Sequence, residues 1–202
     1  MSVKFDKSTM QFQLDTANTS YVMQVRDGYL LHIYWGAKLD GGDHSYMRWE
    51  QGRAAFSPRM ENGGGFILDD TPLEYPCFGR GDLRNPAFEV INHDGTDIVD
   101  LQYKSYKIVS GKPQIKGLPA TYSIPGDKIE TLEIVLTDKI SNLEVTLFYS
   151  VFENYDVITR NAVIKNDSDF DVKLKSVMSA CIDFDTNKFD VISNYGTHCR
   201  ER

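Results

Sequence analysis

Apolar residues recur at every second position through much of this chain, and no other feature limits its fold as strongly. In "LEVTLFYSVF", Leu143, Val145, Leu147, Tyr149 and Val151 share one side of an extended backbone, because successive strand side chains point to opposite faces. "TLEIVL" aligns Leu132, Ile134 and Leu136, while "MQFQL" aligns Met10, Phe12 and Leu14 with its two glutamines pointing the other way. In "DVKLKSVMSACI", Val172, Leu174, Met178, Ala180 and Ile182 share a face and Lys173 and Lys175 turn to water. These patterns predict half-buried antiparallel strands. No stretch keeps a helical period beyond about three turns.

The punctuation between these runs agrees. "NHDGTD" carries the Asp-Gly pair of tight hairpins, and "SIPGDK" and "KNDSDF" place Pro, Gly, Asn and Asp between apolar runs. In "DIVDLQYKSYKIV" the apolar phase shifts between Leu101-Tyr103 and Tyr106-Ile108, which predicts a bulge or bend. The expected fold is all-β, a large antiparallel sandwich of two packed sheets, and 202 residues can form it as one unit.

Charge and termini narrow the function. The formal net charge is -7 and the basic residues form no stripe, which argues against nucleic acid or an anionic membrane as partner. "MSVKFDKSTMQFQLDT" has no apolar signal core, no run is long enough to span a bilayer, and a cytoplasmic protein is expected. Cys77, Cys181 and Cys199 are widely spaced without a C-x-x-C pair, so neither a disulfide framework nor a zinc site is expected. His32, His44, His93 and His198 lack metal-pair spacing, and no metal or cofactor is expected.

Residues 37–85 break the alternation with "GGD", "NGGG" and "GRG". A stretch so long and irregular is expected to be functional or interface-forming. "NGGG" lacks the Lys-Ser/Thr of a phosphate loop, and no Ser sits in a G-x-S-x-G elbow. Asp69, Asp70, Glu74 and Asp82 raise the question of a glycosidase pair, whose carboxyls must lie about 5 Å apart in a retaining enzyme. Adjacent Asp69 and Asp70 would splay apart on an extended chain, so loop solvation or turn capping is the default for them. Trp35, Trp49, Phe56, Tyr75 and Phe78 offer flat faces suited to sugar rings or a subunit contact, although core packing is the expectation for Trp35 at the end of "YLLHIYW".

Taken in order and spacing, "YVMQVRDGYLLHIYWG", "AFSP", "DDTPLEYPCFGRGDLRNPAFEV" and "YGTHCRER" resemble the N-terminal region of the α-galactosidases of glycoside hydrolase family 36. The resemblance spans essentially the whole chain, and its most specific part is Pro72, Glu74, Tyr75, Pro76, Gly79, Gly81, Asp82, Arg84 and Pro86. It implies that residues 1–202 are an N-terminal β-sandwich (supersandwich) domain, followed in the parent enzyme by a catalytic (β/α)8 barrel and a small C-terminal β domain. The parent would be a retaining hydrolase of terminal α-D-galactosides of the melibiose or raffinose type, with catalytic aspartates in the barrel and none in this chain. By the same resemblance the domain is scaffold, contact in a homotetramer, and possible rim of the pocket, with Trp49, Arg53, Asp69, Asp70 and Tyr75 as rim candidates. The chain alone is expected to be inactive. Two alternatives stand beside this reading: a stand-alone carbohydrate-binding or assembly module, and a parent enzyme that is a transferase. For Asp82 and Arg84, two apart on one face, mutual charge neutralisation and backbone satisfaction are expected ahead of substrate contact.

Overall fold

The computed structural model describes residues 1–49, 67–68, 71–79, 81–82, 84–118, 120–184, 186–193, 196 and 199. Its strands are β1 (Val3–Asp6), β2 (Gln11–Asp15), β3 (Thr19–Arg26), β4 (Tyr29–Ala37), β5 (Phe88–Ile91), β6 (Gln102–Ser110), β7 (Ile129–Thr137), β8 (Leu143–Phe152), β9 (Val157–Asn166) and β10 (Lys173–Val177). They form antiparallel sheets in the orders β1-β2-β3-β4 and β6-β7-β8-β9, with β5 and β10 as a separate pair. Helical structure among the described residues is limited to single 3-10 turns at Ser45–Met47 and Glu153–Tyr155. The fold is an all-β sandwich.

Its core follows from the alternation. The inner rows Leu132-Ile134-Leu136 of β7 and Leu143-Val145-Leu147-Tyr149-Val151 of β8 are buried and pack against Phe12, Leu14, Tyr21 and Met23 of the facing sheet. Rings bridge the sheets at one end: Phe5 lies 4.6 Å from Phe12 and 4.4 Å from Tyr106, separations typical of favourable aromatic pairs. The phase shift in β6 is a bulge between Tyr103 and Ser105. The displaced Lys104 turns its ammonium to Glu144 at 2.6 Å.

Four expectations change. Gln11 and Gln13 do point away from the core, yet both are buried, because the segment after β4 folds over that face. Met10 lies just outside β2, in a left-handed conformation at φ 55°. The "DVKLKSVMSACI" alternation stops at the short β10, where a register shift between Leu174 and Ser176 breaks the two-residue phase and leaves Leu174 and Met178 about half exposed. Trp35, expected in the core, is 52% exposed. After Phe152, no described residue is buried.

Candidate functional site

The outer face of β2 and β3 is a row of polar side chains that clamps the start of the irregular region. Gln11 donates to Asp43 Oδ1 at 2.8 Å and accepts from the His44 amide at 3.0 Å. Gln24 Nε2 donates to Ser45 Oγ at 2.9 Å, and its Oε1 accepts from Arg48 at 3.0 Å. Asp15 collects Lys4, Ser20 and Gln13. Burial alone would raise its pKa, but these donors outweigh it and hold the carboxyl below its ordinary value. Trp49, at the end of this clamped segment, is 59% exposed. Arg53, Asp69 and Asp70 lie outside the described residues.

The block that follows is stitched between two strands. Leu73 bridges Leu31 of β4, with His32 N–H donating to Pro72 O at 2.9 Å and Glu74 N–H to Leu30 O at 3.0 Å. Pro76 O accepts from the amides of Ala87 and Phe88 at 2.8 and 3.3 Å. Both prolines lack a donor, and each is placed where only its carbonyl is needed. Gly79, at φ +114°, passes so near Ile98 that an added Cβ would lie 2.9 Å from the Ile98 Cα. Gly81 is likewise left-handed at φ 89°, a conformation that costs residues with a Cβ.

Glu74 is the centre of the block and is fully buried. Its Oε1 accepts from Tyr21 Oη at 2.6 Å and His32 Nδ1 at 3.0 Å. Its Oε2 accepts from Tyr149 Oη at 2.7 Å and pairs with Arg160 at 3.1 Å. Arg160 also donates to the Glu74 carbonyl at 3.2 Å and lies 4.8 Å from the centre of the Tyr149 ring. Burial opposes the charged carboxylate, but Arg160 and the hydrogen bonds from His32 and Tyr21 prevail and lower its pKa to about 2. Burial and the adjacent Glu74 charge push the phenols of Tyr21 and Tyr149 well above their usual range. A carboxylate so acidic, and closed to solvent, has neither the pKa nor the access that general acid-base work requires.

Asp82 and Arg84 form a second polar knot. Arg84 Nε and Nη2 donate to the two Asp82 oxygens at 2.9 and 2.7 Å, while Nη1 reaches Asp183 at 2.6 Å and Nη2 reaches Thr71 O at 2.7 Å. This two-pronged geometry is specific to guanidinium and carboxylate. Burial disfavours the Arg84 charge, but Asp82 and Asp183 outweigh it and raise its pKa. Tyr75, a rim candidate, is instead a core residue, 3% exposed, with its hydroxyl donating to Met178 O at 2.8 Å and its ring beside Phe88. Burial pushes its phenol up to about 12. The alternation across 71–87 is too irregular to reveal which way that ring turns.

Sequence reasoning did not foresee the partners of Glu74. Tyr149, a hydroxyl-bearing member of an otherwise apolar inner row, was the available signal for a buried acceptor. Among the described residues, no three His, Cys, Asp or Glu side chains gather as a metal site. Glu130, which lines a surface groove, already accepts from the amides of Ser2 and Val3 at 2.6 and 2.9 Å. Glu74 and Arg84 thus centre two polar knots, and Trp49 stands exposed at the end of the clamped segment.

Comparison with known proteins agrees with this picture. The model of the glycosyl hydrolase family 36 N-terminal domain matches residues 28–202. α-Galactosidase AgaA of Geobacillus stearothermophilus is 42% identical over 206 residues, a match covering 100% of this chain and 28% of that protein. The bifunctional α-galactosidase/sucrose kinase AgaSK of Mediterraneibacter gnavus is 39% identical, over 100% of this chain and 22% of its own length. Among solved structures, α-galactosidase AgaB of Geobacillus stearothermophilus superposes with a TM-score of 0.84 at 42% identity, covering 92% of this chain and 25% of that one. The α-galactosidase of Lactobacillus brevis superposes with a TM-score of 0.90 at 30% identity, covering 98% and 27%. The chain thus spans about a quarter of the length of these relatives. It belongs to the N-terminal domain family of glycoside hydrolase family 36.

Proposed function

We propose that the full-length protein is a retaining α-galactosidase acting on terminal α-D-galactosides of the melibiose or raffinose type, with this domain as its non-catalytic scaffold. The observation that carries the reading is 42% identity to an α-galactosidase along the whole of this chain. A close structural relative, a variant of AgaA, was solved in complex with raffinose. Catalytic carboxylates would lie in a downstream barrel. One would attack the anomeric carbon, and the other would protonate the leaving oxygen and then activate water. This chain would hold that barrel, contribute contacts to a cytoplasmic homotetramer, and carry Trp49, Arg53, Asp69 and Asp70 toward the pocket rim.

The test is hydrolysis of p-nitrophenyl α-galactoside and raffinose by the full-length protein. Galactose should be released first as the α-anomer by NMR, and the 202-residue chain alone should release none. Turnover by the pure 202-residue chain would place catalysis here and overturn the reading. The exposed Trp35 and Trp49 favour a second reading, a carbohydrate-binding module. Tryptophan fluorescence separates the two, since a module alone would respond to raffinose in the absence of any barrel.

A further inference from the structure

The chain contains three Asp-Gly pairs, Asp27-Gly28, Asp40-Gly41 and Asp94-Gly95. Such a pair can react with itself. The glycine nitrogen can attack the aspartate Cγ and close a five-membered ring, and a residue without Cβ leaves that nitrogen sterically open. Reaction then depends on what holds the carboxyl and the amide, and the fold holds the three pairs differently.

Asp94-Gly95 is engaged at both reacting groups. Asp94 Oδ1 accepts from the Thr96 amide at 3.0 Å and from its hydroxyl at 2.7 Å. These bonds hold the carboxyl below its ordinary value and keep it as the less reactive carboxylate. The Gly95 amide donates to Asn92 O at 3.0 Å. Asp27 and Gly28 form the two-residue turn between β3 and β4, left-handed at φ 48° and 87°, as a tight hairpin requires. That turn is fastened by the Arg26–Tyr29 pair of the ladder and by the Tyr103 amide, which donates to Gly28 O at 2.7 Å.

Asp40-Gly41 has none of these restraints. Both residues are exposed, and among the described residues nothing bonds to the Asp40 carboxyl or the Gly41 amide. A Cβ added at Gly41 or Gly42 would meet nothing within 4 Å. Only the Asp40 carbonyl is engaged, accepting from His44 Nε2 at 3.1 Å.

We propose that Asp40-Gly41 is a site of spontaneous isoaspartate formation. The Gly41 nitrogen attacks Cγ of the protonated Asp40 carboxyl. A C–N bond forms, the C–OH bond breaks, and the hydroxyl leaves with the Gly41 proton as water, giving a succinimide. One water then reopens the ring. Attack at Cγ restores aspartate, and attack at the former main-chain carbonyl leaves the chain running through the side chain as isoaspartate. One water leaves and one returns, so no co-reactant is needed. The product lengthens the main chain by one carbon and turns the carbonyl that receives His44 into a free carboxylate. The change falls just ahead of Asp43 and His44, where Gln11 ties the segment to β2. Nothing in this chemistry depends on the proposed activity.

The test is to age the full-length protein at physiological temperature and mildly acidic pH and to map its tryptic peptides. Trypsin isolates the three pairs in Asp27–Lys38, Leu39–Arg48 and Asn85–Lys104, and leaves Asn62-Gly63, which lies outside the described residues, in a fourth peptide. Leu39–Arg48 should gain a second chromatographic peak of equal mass at least about tenfold faster than the other two, because its pair needs no local opening to react. Electron-transfer fragmentation should place isoaspartate at residue 40. Asp40→Glu, which would need a larger ring, should remove the second peak, and Gly41→Ala, which crowds the nitrogen, should slow its growth. Equal rates in the three peptides, a faster rate at Asp27 or Asp94, a product at Asp43 instead, or no equal-mass product from Leu39–Arg48 overturns the proposal.

Discussion

A buried carboxylate must be neutralised from within, and Glu74 meets that demand with two phenols, an imidazole and a guanidinium. Replacing Glu74 with Gln leaves the largely enclosed Arg160 guanidinium beside a neutral amide, and should lower stability by about 3–5 kcal/mol in urea titration. The folded pKa of about 2 lies below the ordinary 4.5, so between those values the unfolded chain binds more protons. Glu74 therefore stabilises the fold fully above about pH 4.5 and loses that contribution as pH falls toward 2. A urea midpoint that stays flat across that window would contradict the assignment. Gly79 makes a second case. Its left-handed φ and the nearby Ile98 backbone mean that Gly79→Ala should cost roughly 1–3 kcal/mol. Gly41→Ala, with nothing within 4 Å and no such φ, should be near neutral in the same titration.

Among the elements, the glutamine row of β2 and β3 decides where the irregular region starts. Gln11→Ala removes ties to Asp43 and His44, and should raise exchange of amides 39–48 about tenfold while leaving β7 and β8 unchanged. Unchanged exchange at 39–48 would mean that the backbone holds this segment without the row. The inner faces of β7 and β8 could be read directly from the sequence because one buried side of a strand imposes a two-residue period. The β6 bulge was legible for the same reason, as a slip in that period between Tyr103 and Ser105. The burial of Gln11 and Gln13 was not, because the segment covering them has no period of its own. The run 172–182 misled because a bulge changes which residues share a face, and Tyr75 because a proline-flanked irregular turn carries no facing signal. The block 72–86 could be recognised as a motif, but its reason lies in Tyr21, His32, Tyr149 and Arg160, which are distant in sequence.

For the whole molecule, the all-β sandwich was legible in the strand pattern, whereas the incomplete burial after Phe152 has no counterpart in any local period of the sequence. The Glu74 knot also carries a kinetic consequence. Its hydrogen bonds join residues separated by 53, 75 and 86 positions. Closing such long loops costs chain entropy before any contact repays it, so the knot should close only after the two sheets have docked, beyond the folding barrier. Tyr149→Phe, which deletes one donor and little volume, should then accelerate unfolding about tenfold and leave the refolding rate nearly unchanged in stopped-flow measurements. A slower refolding limb would instead place the knot in the nucleus. In that late position, the most specific block in the sequence would act less as a guide to folding than as a latch that sets how long the folded domain lasts.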